Sequence, residues 1–537
     1  MVVEDQIQLM GQRIGAQRFE GLLSRLDDCG SAGDALRLLR SSEFFRGLVE
    51  RQIDWLETEA QFKANTIDYI TAVHERSAAT LQPTEATVMS SLRVLRQRAM
   101  LHILWRSFTQ RATGLDETLV AMSDLADFVI REAVGFAEAQ VGARFGEPIG
   151  EDSQTRQRLI VVGMGKLGGR ELNLSSDIDI IFVYDEPGVT EGGRSSTSNQ
   201  EFFMRVAQLV IKLIDSVTHE GRVFRVDTRL RPFGDSGALV ASYPSLENYY
   251  QQHGRDWERY ALLKSRCITG LINQTRAFQQ LARRFVYRRY TDFSVIDGLR
   301  GMKALIDIER VSKDLANDVK RGPGGIREAE FVVQSHQLTH GGRIPAIQTI
   351  NFQTSAALLA KEQCVPQSLV STLISAYRHL RQVEHGIQAL RDEQAHAIPD
   401  VSDVQENLRH LLGYASWSEL RDETEAHRTA IASEFDALLN EPGQTTRLIV
   451  GIDSESPSLD MSVIRALSLD RENHIVAVVS NFVAETRFRV LDPEGVRRLQ
   501  KVLPLILKAV DDQRDVEQVL KRLLSIVAAV LKRSAYL

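Results

Sequence analysis

The sequence has 537 residues, of which 43% are hydrophobic and 25% are charged. This composition is typical of a folded protein and differs from that of a disordered chain. At about 150 residues per domain, the length predicts three or four domains. The 65 basic and 71 acidic residues give a formal net charge of −6. A uniformly basic surface is therefore excluded, and we expect neither nucleic acid nor an acidic membrane as a partner.

Helical periodicity dominates both ends of the chain. Residues 1–150 place apolar side chains at steps of three and four, which predicts an N-terminal helical segment. Within residues 151–345, short apolar runs alternate with amphipathic helices, which predicts a compact domain of strands and helices. Residues 346–440 are helical again, and a polar linker precedes a last helical segment within 441–537. The predicted class is α+β and mostly helical.

Features that are absent from the sequence predict the cellular compartment. No apolar run approaches the roughly 20 residues that span a bilayer, and the start MVVEDQIQLM does not resemble a signal peptide. The cysteines at 29, 267 and 364 are far apart and form no C-x-x-C pair, which argues against a disulfide framework or a cysteine-based zinc site. The histidines show no metal-ligand spacing. We therefore expect a cytoplasmic protein with buried thiols.

A glycine-rich loop follows the predicted strand RLIVV. The loop Gly163–Gly169 contains G-x-G-x-x-G, and Asp185 follows near the distance expected for an acid that binds a ribose. A dinucleotide-binding unit, however, needs a crossover of at least about 10–12 residues, and only residues 170–176 are available. We favour a loop whose backbone N–H groups approach a phosphate, with Lys166 as an added positive charge.

Two acids, Asp177 and Asp179, lie in the next predicted strand, DIDIIFVY. The strand period of two places both carboxylates on one face and Ile178 and Ile180 on the other. Neighbouring carboxylates repel unless a cation neutralises them, and Mg²⁺ is commonly shared between carboxylates and substrate phosphates. The pattern predicts a Mg²⁺ site, although two solvated acids on an edge strand would give the same pattern.

A third acid, Asp227, lies in the later predicted strand VFRVDTRLRPFG. The same period places it on one face with Arg225, Arg229 and Arg231. An acid among arginines suits a metal ion and a polyphosphate, because the acid holds the ion and the guanidinium groups hold phosphate oxygens. Three carboxylates are enough for two metal ions. A salt-bridged exposed strand is the alternative.

A second glycine-rich segment, residues 322–325, precedes the apolar helix IREAEFVVQ. One interpretation is an anion site at the N-terminus of this helix, with Arg327 beside it. The other is a tight turn that packs the helix against its neighbours. The sequence alone leaves both open.

Longer strings carry a resemblance to known proteins. GMGKLGGRELNLSSDIDIIFVY, with its aspartate pair after the glycine pair, resembles the nucleotidyltransferase superfamily of DNA polymerase β. RVDTRLRPFGDSG, YYQQHGRDWERYALLKSR and GPGGIREAEFVVQ resemble the family of glutamine synthetase adenylyltransferase/adenylyl-removing enzymes. The resemblance covers residues 30–440 well and the tail more weakly. It implies a polymerase β-like catalytic domain at 151–345, flanked by helical segments.

The resemblance also implies the site and its ligands. Asp177, Asp179 and Asp227 would be catalytic acids that hold Mg²⁺, with two ions expected. The phosphates of ATP or ADP would contact a further set of residues, namely Gly168, Gly169, Ser176, Arg229 and Arg231.

The implied reaction follows from the organisation of the family. Its members carry two catalytic copies that remove AMP from a tyrosine of glutamine synthetase or attach it. Only one copy of the motifs occurs here, and Asn-Leu-Ser-Ser before Asp177 resembles the removing copy. The implied reaction is phosphorolysis of adenylyl-tyrosine, which releases ADP. The implied partners are glutamine synthetase and the PII signal protein, including its uridylylated form.

The sequence leaves other functions open. One alternative is that the single copy works in the opposite direction, as an ATP-dependent adenylyltransferase. Another is that the chain is a PII-binding module without catalysis. A NAD-dependent dehydrogenase is the least favoured alternative. The tail EGVRRLQKVLPLILKAV resembles the start of the family's regulatory helices, so we expect the chain to be an N-terminal fragment of a longer protein.

Overall fold

The structure, a computed structural model, describes most of the first 438 residues and part of the remainder. The described residues are 3–27, 30, 33–58, 68, 71–72, 75, 83–109, 114–287, 293–312, 315–438, 449–450, 458–459, 472–485, 503, 506–507, 510 and 515–531. They divide into two compact units, Met1–Leu438 and Leu439–Leu537. The prediction of a mostly helical α+β chain is confirmed. The finer boundaries at 150, 345 and 440 stay predictions.

The first unit begins with helices. In chain order these are α1 (Val3–Ile14), α2 (Ala16–Asp27), α3 (Asp34–Ser41), α4 (Glu43–Arg51), α5 (Ile53–Thr58), α6 (Glu85–Thr109) and α7 (Gly114–Phe145). The long helices α6 and α7 pack against each other and bury large apolar side chains, among them Trp105 and Met122. Burial of apolar surface contributes about 25 cal/mol per Å² to the stability of the fold. Most of the stability of a helix in a protein comes from this packing rather than from the helix propensity of its residues.

A small mixed sheet forms the centre of the first unit. Its strands are β2 (Ile160–Gly163), β3 (Asp177–Tyr184), β5 (Arg225–Asp227), β6 (Val240–Ser242) and β7 (Arg266–Cys267). The order is β5-β3-β2-β7, and β6 also pairs with β3. β3 runs antiparallel to β2 and parallel to β5 and β6. β1 (Gly146–Pro148) and β4 (Thr190–Gly192) form a separate antiparallel pair.

Helices flank this sheet. They are α8 (Gly165–Gly168), α9 (Asn199–Asp215), α10 (Tyr243–Gln252), α11 (Asp256–Leu262), α12 (Ile272–Val286) and α13 (Phe293–Ser312). α9 packs on α7, β5 and β6, and buries Phe202, Phe203, Val206 and Val210 on its apolar stripe. Its last turn is tied to α6, because the buried Arg93 donates to the Leu213 carbonyl oxygen at 3.1 Å.

One predicted strand is much shorter than expected. β5 ends at Asp227, and Arg229 and Arg231 lie in the turn that follows rather than on a strand. The prediction that they share a strand face with Asp227 is therefore wrong. Pro232 fits this break, because proline cannot donate to a sheet ladder, and Phe233 adopts a left-handed φ of 62°.

A helical bundle completes the first unit. It contains α14 (Ile326–His340), α15 (Phe352–Lys361), α16 (Gln367–Arg391), α17 (Ser402–Leu412) and α18 (Trp417–Ala437). α16 is the central member, since it packs on α14, α15, α17 and α18 as well as on α4. Two charged side chains of α16, Arg381 and Glu384, are fully buried.

The second unit is described only in part. It contains β8 (Ile449–Val450), β9 (Ser458–Leu459), α19 (Glu472–Glu485) and α20 (Val516–Leu531). The segment 494–510, which carries the resemblance to regulatory helices, lies almost wholly outside the described residues, as does Cys29. Cys267 and Cys364 are free and half-buried rather than fully buried. In the part of the chain that the structure describes, no helix is both long and apolar enough to cross a membrane.

Candidate active site

The parallel pairing of β3 and β5 brings three acids together. The register places Asp177 beside Arg225 and Asp179 beside Asp227. Residues in register on adjacent strands face the same side of a sheet, and side chains two apart on one strand do so as well. Asp177, Asp179 and Asp227 therefore share one face of the sheet, although the two strands are far apart in the sequence.

The electrostatics of these acids are uneven. Burial of the Asp179 carboxyl, together with the negative charges of Asp227 and Asp177, raises the pKa of Asp179 to about 7. At Asp227 the hydrogen bond from Arg229 dominates and lowers the pKa of the carboxyl. Asp179 is half-buried, and an acid whose negative charge is disfavoured by partial burial and by two neighbouring acids is a group that a bound cation stabilises.

The nearby arginines are bonded to the acids and to the turn. Arg225 Nε lies 2.6 Å from Asp177 Oδ1. Arg229 donates its backbone N–H to Asp227 Oδ1 at 2.8 Å, its Nε lies 2.9 Å from Asp227 Oδ2, and its side chain is 71% exposed. Arg231 instead donates to the Thr228 carbonyl oxygen at 3.0 Å and is mostly buried. Arg229 is thus open to a ligand, whereas Arg231 stabilises its own turn.

The glycine loop lies directly against Asp179. The N–H of Met164 donates to the Asp179 carbonyl oxygen at 2.8 Å. Gly165 has a left-handed φ of 53°, and a Cβ atom there would lie 2.9 Å from Asp179 Oδ2. The loop joins the antiparallel strands β2 and β3, whereas a dinucleotide-binding unit joins parallel strands. The topology therefore argues against the dehydrogenase alternative.

The other predicted phosphate-binding positions flank this loop. A Cβ atom on Gly168 would lie 1.7 Å from the Lys264 carbonyl oxygen, so this glycine allows two backbones to approach closely. Gly169 is buried as well, and Ser176 Oγ donates to the Asp177 carbonyl oxygen at 3.0 Å. Phosphate binding by Gly168, Gly169 and Ser176 stays a prediction.

Lys166 does not have the expected position. Its Nζ lies 2.9 Å from Glu330 Oε1 and 5.3 Å from the centroid of the Tyr377 ring, and the side chain is mostly buried. The prediction that Lys166 adds positive charge at a phosphate site is therefore wrong. Burial alone would raise the pKa of Glu330, but Lys166 and Lys264 hold that pKa below its usual range.

Sequence reasoning missed Lys320. Its positive charge acts on Asp179 and opposes the rise in the pKa of that acid. Its backbone is fixed at both ends of the residue, because its N–H donates to Asp318 Oδ1 at 2.9 Å and its carbonyl oxygen accepts from the N–H of Arg327 at 3.0 Å. The available signal was its place two residues before the second glycine-rich segment.

The second glycine-rich segment, residues 322–325, forms a tight turn. The N–H of Gly324 donates to Glu328 Oε2 at 2.9 Å, and a Cβ atom on Gly324 would lie 1.9 Å from the Arg428 carbonyl oxygen. Arg327 pairs with Glu309 at 2.7 Å. The structure therefore favours the interpretation as a packing turn over an anion site at the start of α14.

A buried charge network lies between the central sheet and the bundle. The Lys264 Nζ atom lies 2.6 Å from Glu171 Oε2, and an Arg381 Nη atom lies 2.7 Å from the Glu171 carbonyl oxygen. The N–H of Ser175 donates to Gln388 Oε1 at 3.0 Å. The segment that leads into β3 is thus held by α16, which fixes the place where Asp177 begins the strand.

Comparison with known proteins gives two adjacent family matches. Residues 32–281 match glutamate-ammonia ligase adenylyltransferase, and residues 300–439 match GlnD PII-uridylyltransferase. The first match contains every site residue predicted from the sequence, whereas Lys320 lies in the second.

Curated relatives are similar over most of the chain. The bifunctional glutamine synthetase adenylyltransferase/adenylyl-removing enzyme of Thioalkalivibrio sulfidiphilus is 38% identical over 467 residues, which is 84% of this chain and 48% of the relative. The enzymes of the same name from Nitrosococcus oceani and Pseudomonas aeruginosa are 40% and 41% identical over 463 residues. The match to the Nitrosococcus oceani enzyme covers 84% of this chain and 48% of the relative. The match to the Pseudomonas aeruginosa enzyme covers 83% of this chain and 46% of the relative.

The chain spans about half the length of the curated relatives it matches. The matched half includes the sheet, the glycine loop and the three acids. The resemblance seen in the sequence is confirmed, because residues 32–281 match the glutamate-ammonia ligase adenylyltransferase family and the curated relatives carry the same name.

Proposed function

We propose that this chain is a nucleotidyltransferase that removes AMP from an adenylylated tyrosine of glutamine synthetase by phosphorolysis, giving ADP and the unmodified enzyme. The observation that carries the proposal is the convergence of Asp177, Asp179 and Asp227 on one sheet face. Nucleotidyl transfer needs mainly positioning and neutralisation of charge. The names of the relatives, which include adenylyl removal, support the choice of substrate.

The donor set fits Mg²⁺. The three acids offer only carboxylate oxygens, which are the ligands that Mg²⁺ prefers. Their mutual repulsion raises the pKa of Asp179 and would be relieved by a cation. When bound, one or two Mg²⁺ ions would neutralise phosphate charge and stabilise the leaving oxygen.

The proposed reaction is an in-line substitution at the α-phosphorus. An oxygen of orthophosphate forms a bond to this phosphorus, and the bond from phosphorus to the tyrosyl oxygen breaks. The tyrosyl oxygen takes up a proton, so adenylyl-tyrosine and phosphate give tyrosine and ADP. The product ADP carries two negatively charged phosphate groups. The site therefore needs positive charge beside the three acids.

The residues of this chain supply that charge and hold the acids. Arg229, which is exposed beside Asp227, would contact phosphate oxygens. Lys320 would approach from the opposite segment, since its charge already acts on Asp179. Arg225 keeps Asp177 in place. We keep the backbone and hydroxyl groups of Gly168, Gly169 and Ser176 in the proposal as phosphate contacts, and assign Arg231 to the turn.

A second direction of catalysis is supported by the other half of the relatives' name, adenylyltransferase. We also propose PII and its uridylylated form as the regulators, because residues 300–439 match a PII-uridylyltransferase.

Incubation with adenylylated glutamine synthetase and labelled phosphate should give labelled ADP. Incubation with ATP and unmodified glutamine synthetase should leave no AMP on tyrosine. The reverse pattern would establish the second direction, and no turnover with either pair would refute catalysis.

A further inference from the structure

We propose that His379, Glu423 and His427 form a second metal site, suited to a transition-metal ion such as Zn²⁺ and distinct from the three aspartates. His379 lies on α16, and the other two residues lie on α18. Residue spacing does not predict this site, because His379 is far from His427 in the chain and the packing of α16 on α18 brings them together.

The geometry of the three donor atoms is close to that of a metal site. Glu423 and His427 are four residues apart on one helix and therefore share a face. His379 Nδ1 lies 3.3 Å from Glu423 Oε1, and His427 Nε2 lies 3.9 Å from the same oxygen. All three donor atoms fall within 4.8 Å of one another. Zn²⁺ binds such atoms at about 2.0–2.1 Å in a tetrahedral arrangement, which separates two ligand atoms by about 3.4 Å.

The hydrogen bonds around His379 define which ring nitrogen is available. Thr424 Oγ1 donates its proton to the Leu420 carbonyl oxygen at 2.7 Å, so towards His379 it acts as an acceptor. His379 Nε2, at 2.9 Å from Thr424 Oγ1, is then the protonated nitrogen. Nδ1 carries the lone pair, which is the arrangement of a metal-ligating histidine oriented by a second partner.

This assignment leaves two acceptors beside each other. With the ring proton on Nε2, the Nδ1 lone pair of His379 lies 3.3 Å from a carboxylate oxygen of Glu423. Two acceptors at this distance need a cation between them. Two imidazoles and one carboxylate suit Zn²⁺ better than Mg²⁺, which prefers oxygen ligands.

The surroundings allow a metal ion to enter and to keep a water ligand. The Glu423 side chain is 46% exposed and that of His427 is 24% exposed. His379 also lines a cavity of about 290 Å³ that is shared with Phe108 and Leu411. Three protein ligands leave a fourth tetrahedral position for water.

A metal ion here would clamp α16 to α18. The residue after His427 is Arg428, whose Nε donates to the Pro323 carbonyl oxygen at 3.0 Å. The clamp would therefore also steady the turn that follows Lys320.

The test is a zinc-binding measurement on the whole chain after treatment with a chelator. We expect one Zn²⁺ per chain by titration and metal analysis, in the presence of excess Mg²⁺, and visible absorption of four-coordinate Co²⁺ when cobalt is used instead. His427→Ala and Glu423→Gln should each weaken binding at least tenfold. Glu423 is half-exposed, so its variant is expected to fold, which circular dichroism verifies.

The matched control is His410→Ala. His410 and Glu406 lie four residues apart on α17 and are 2.9 Å from each other, but no third ligand completes them among the described residues. This variant should bind Zn²⁺ as the unmodified chain does. No Zn²⁺ bound by the unmodified chain, or equal binding by all four proteins, would overturn the proposal and leave a histidine–glutamate ion pair.

Discussion

Replacement of Asp179 by asparagine should stabilise the metal-free chain while it removes activity. The pKa of Asp179 is raised from 3.8 to about 7 by burial and by the neighbouring acids. A raised pKa of an acid means that the folded state binds a proton more tightly than the unfolded state. Stability is therefore highest where Asp179 is protonated and is lost as the pH rises from about 4 towards 7. Asparagine has nearly the same shape and carries no charge, so it avoids this loss.

The size of the effect follows from the pKa. One unit of pKa corresponds to about 1.4 kcal/mol, so ionised Asp179 costs the folded state at most about 4 kcal/mol at pH 8 and about 2 kcal/mol at pH 5.5. In EDTA at pH 8, Asp179→Asn should raise the apparent Tm by several degrees. The gain should shrink at pH 5.5.

The assay is thermal unfolding at both pH values, with and without Mg²⁺. Added Mg²⁺ should stabilise the unmodified chain and leave Asp179→Asn unchanged. Asp235→Asn is the matched control, because its side chain is 78% exposed on the turn after β5, and it should change the Tm little. An equal or lower Tm of Asp179→Asn in EDTA at pH 8 would refute the reasoning.

Three further outcomes are expected. Gly165→Ala should lower ADP formation strongly and unfold more easily, because φ is 53° and the new Cβ would meet Asp179 Oδ2 at 2.9 Å, whereas Gly135→Ala, in open space on α7, should do neither. Lys320→Ala should raise the KM for phosphate in steady-state assays of ADP formation, and Lys320→Arg should restore most of the loss. Glu330→Gln should destabilise the chain by about 3–5 kcal/mol in urea unfolding, since two buried lysines lose a shared carboxylate; a change below 1 kcal/mol would contradict this.

The acid pair could be predicted from local sequence. The period of two in DIDIIFVY placed Asp177 and Asp179 on one face, and the observed strand buries Ile178 and Ile180 on the other. That Asp227 joins them depends on a parallel register between distant strands. Local pattern alone predicts no such register, and the family resemblance supplied it.

The remaining features depend on packing that no local pattern reveals. The short helix α8 turns Lys166 into the interior towards Glu330 on α14. The alternation of charged and apolar residues continues in the sequence after Asp227. The strand does not continue, because β5 ends at Asp227 and a turn begins. His379 reaches Glu423 and His427 only because α16 packs on α18, so residue spacing gives no signal for it.

One measurement tests most directly whether the three aspartates carry nucleotidyl transfer. Labelled phosphate and adenylylated glutamine synthetase are incubated with Mg²⁺ and with the unmodified chain, Asp177→Asn, Asp179→Asn or Asp227→Asn, and labelled ADP is followed. Asp185→Asn, at the other end of β3, is the control. We predict loss of ADP formation in all three variants, each still folded, and normal formation in the control. Near-normal ADP formation by any of the three would contradict the claim.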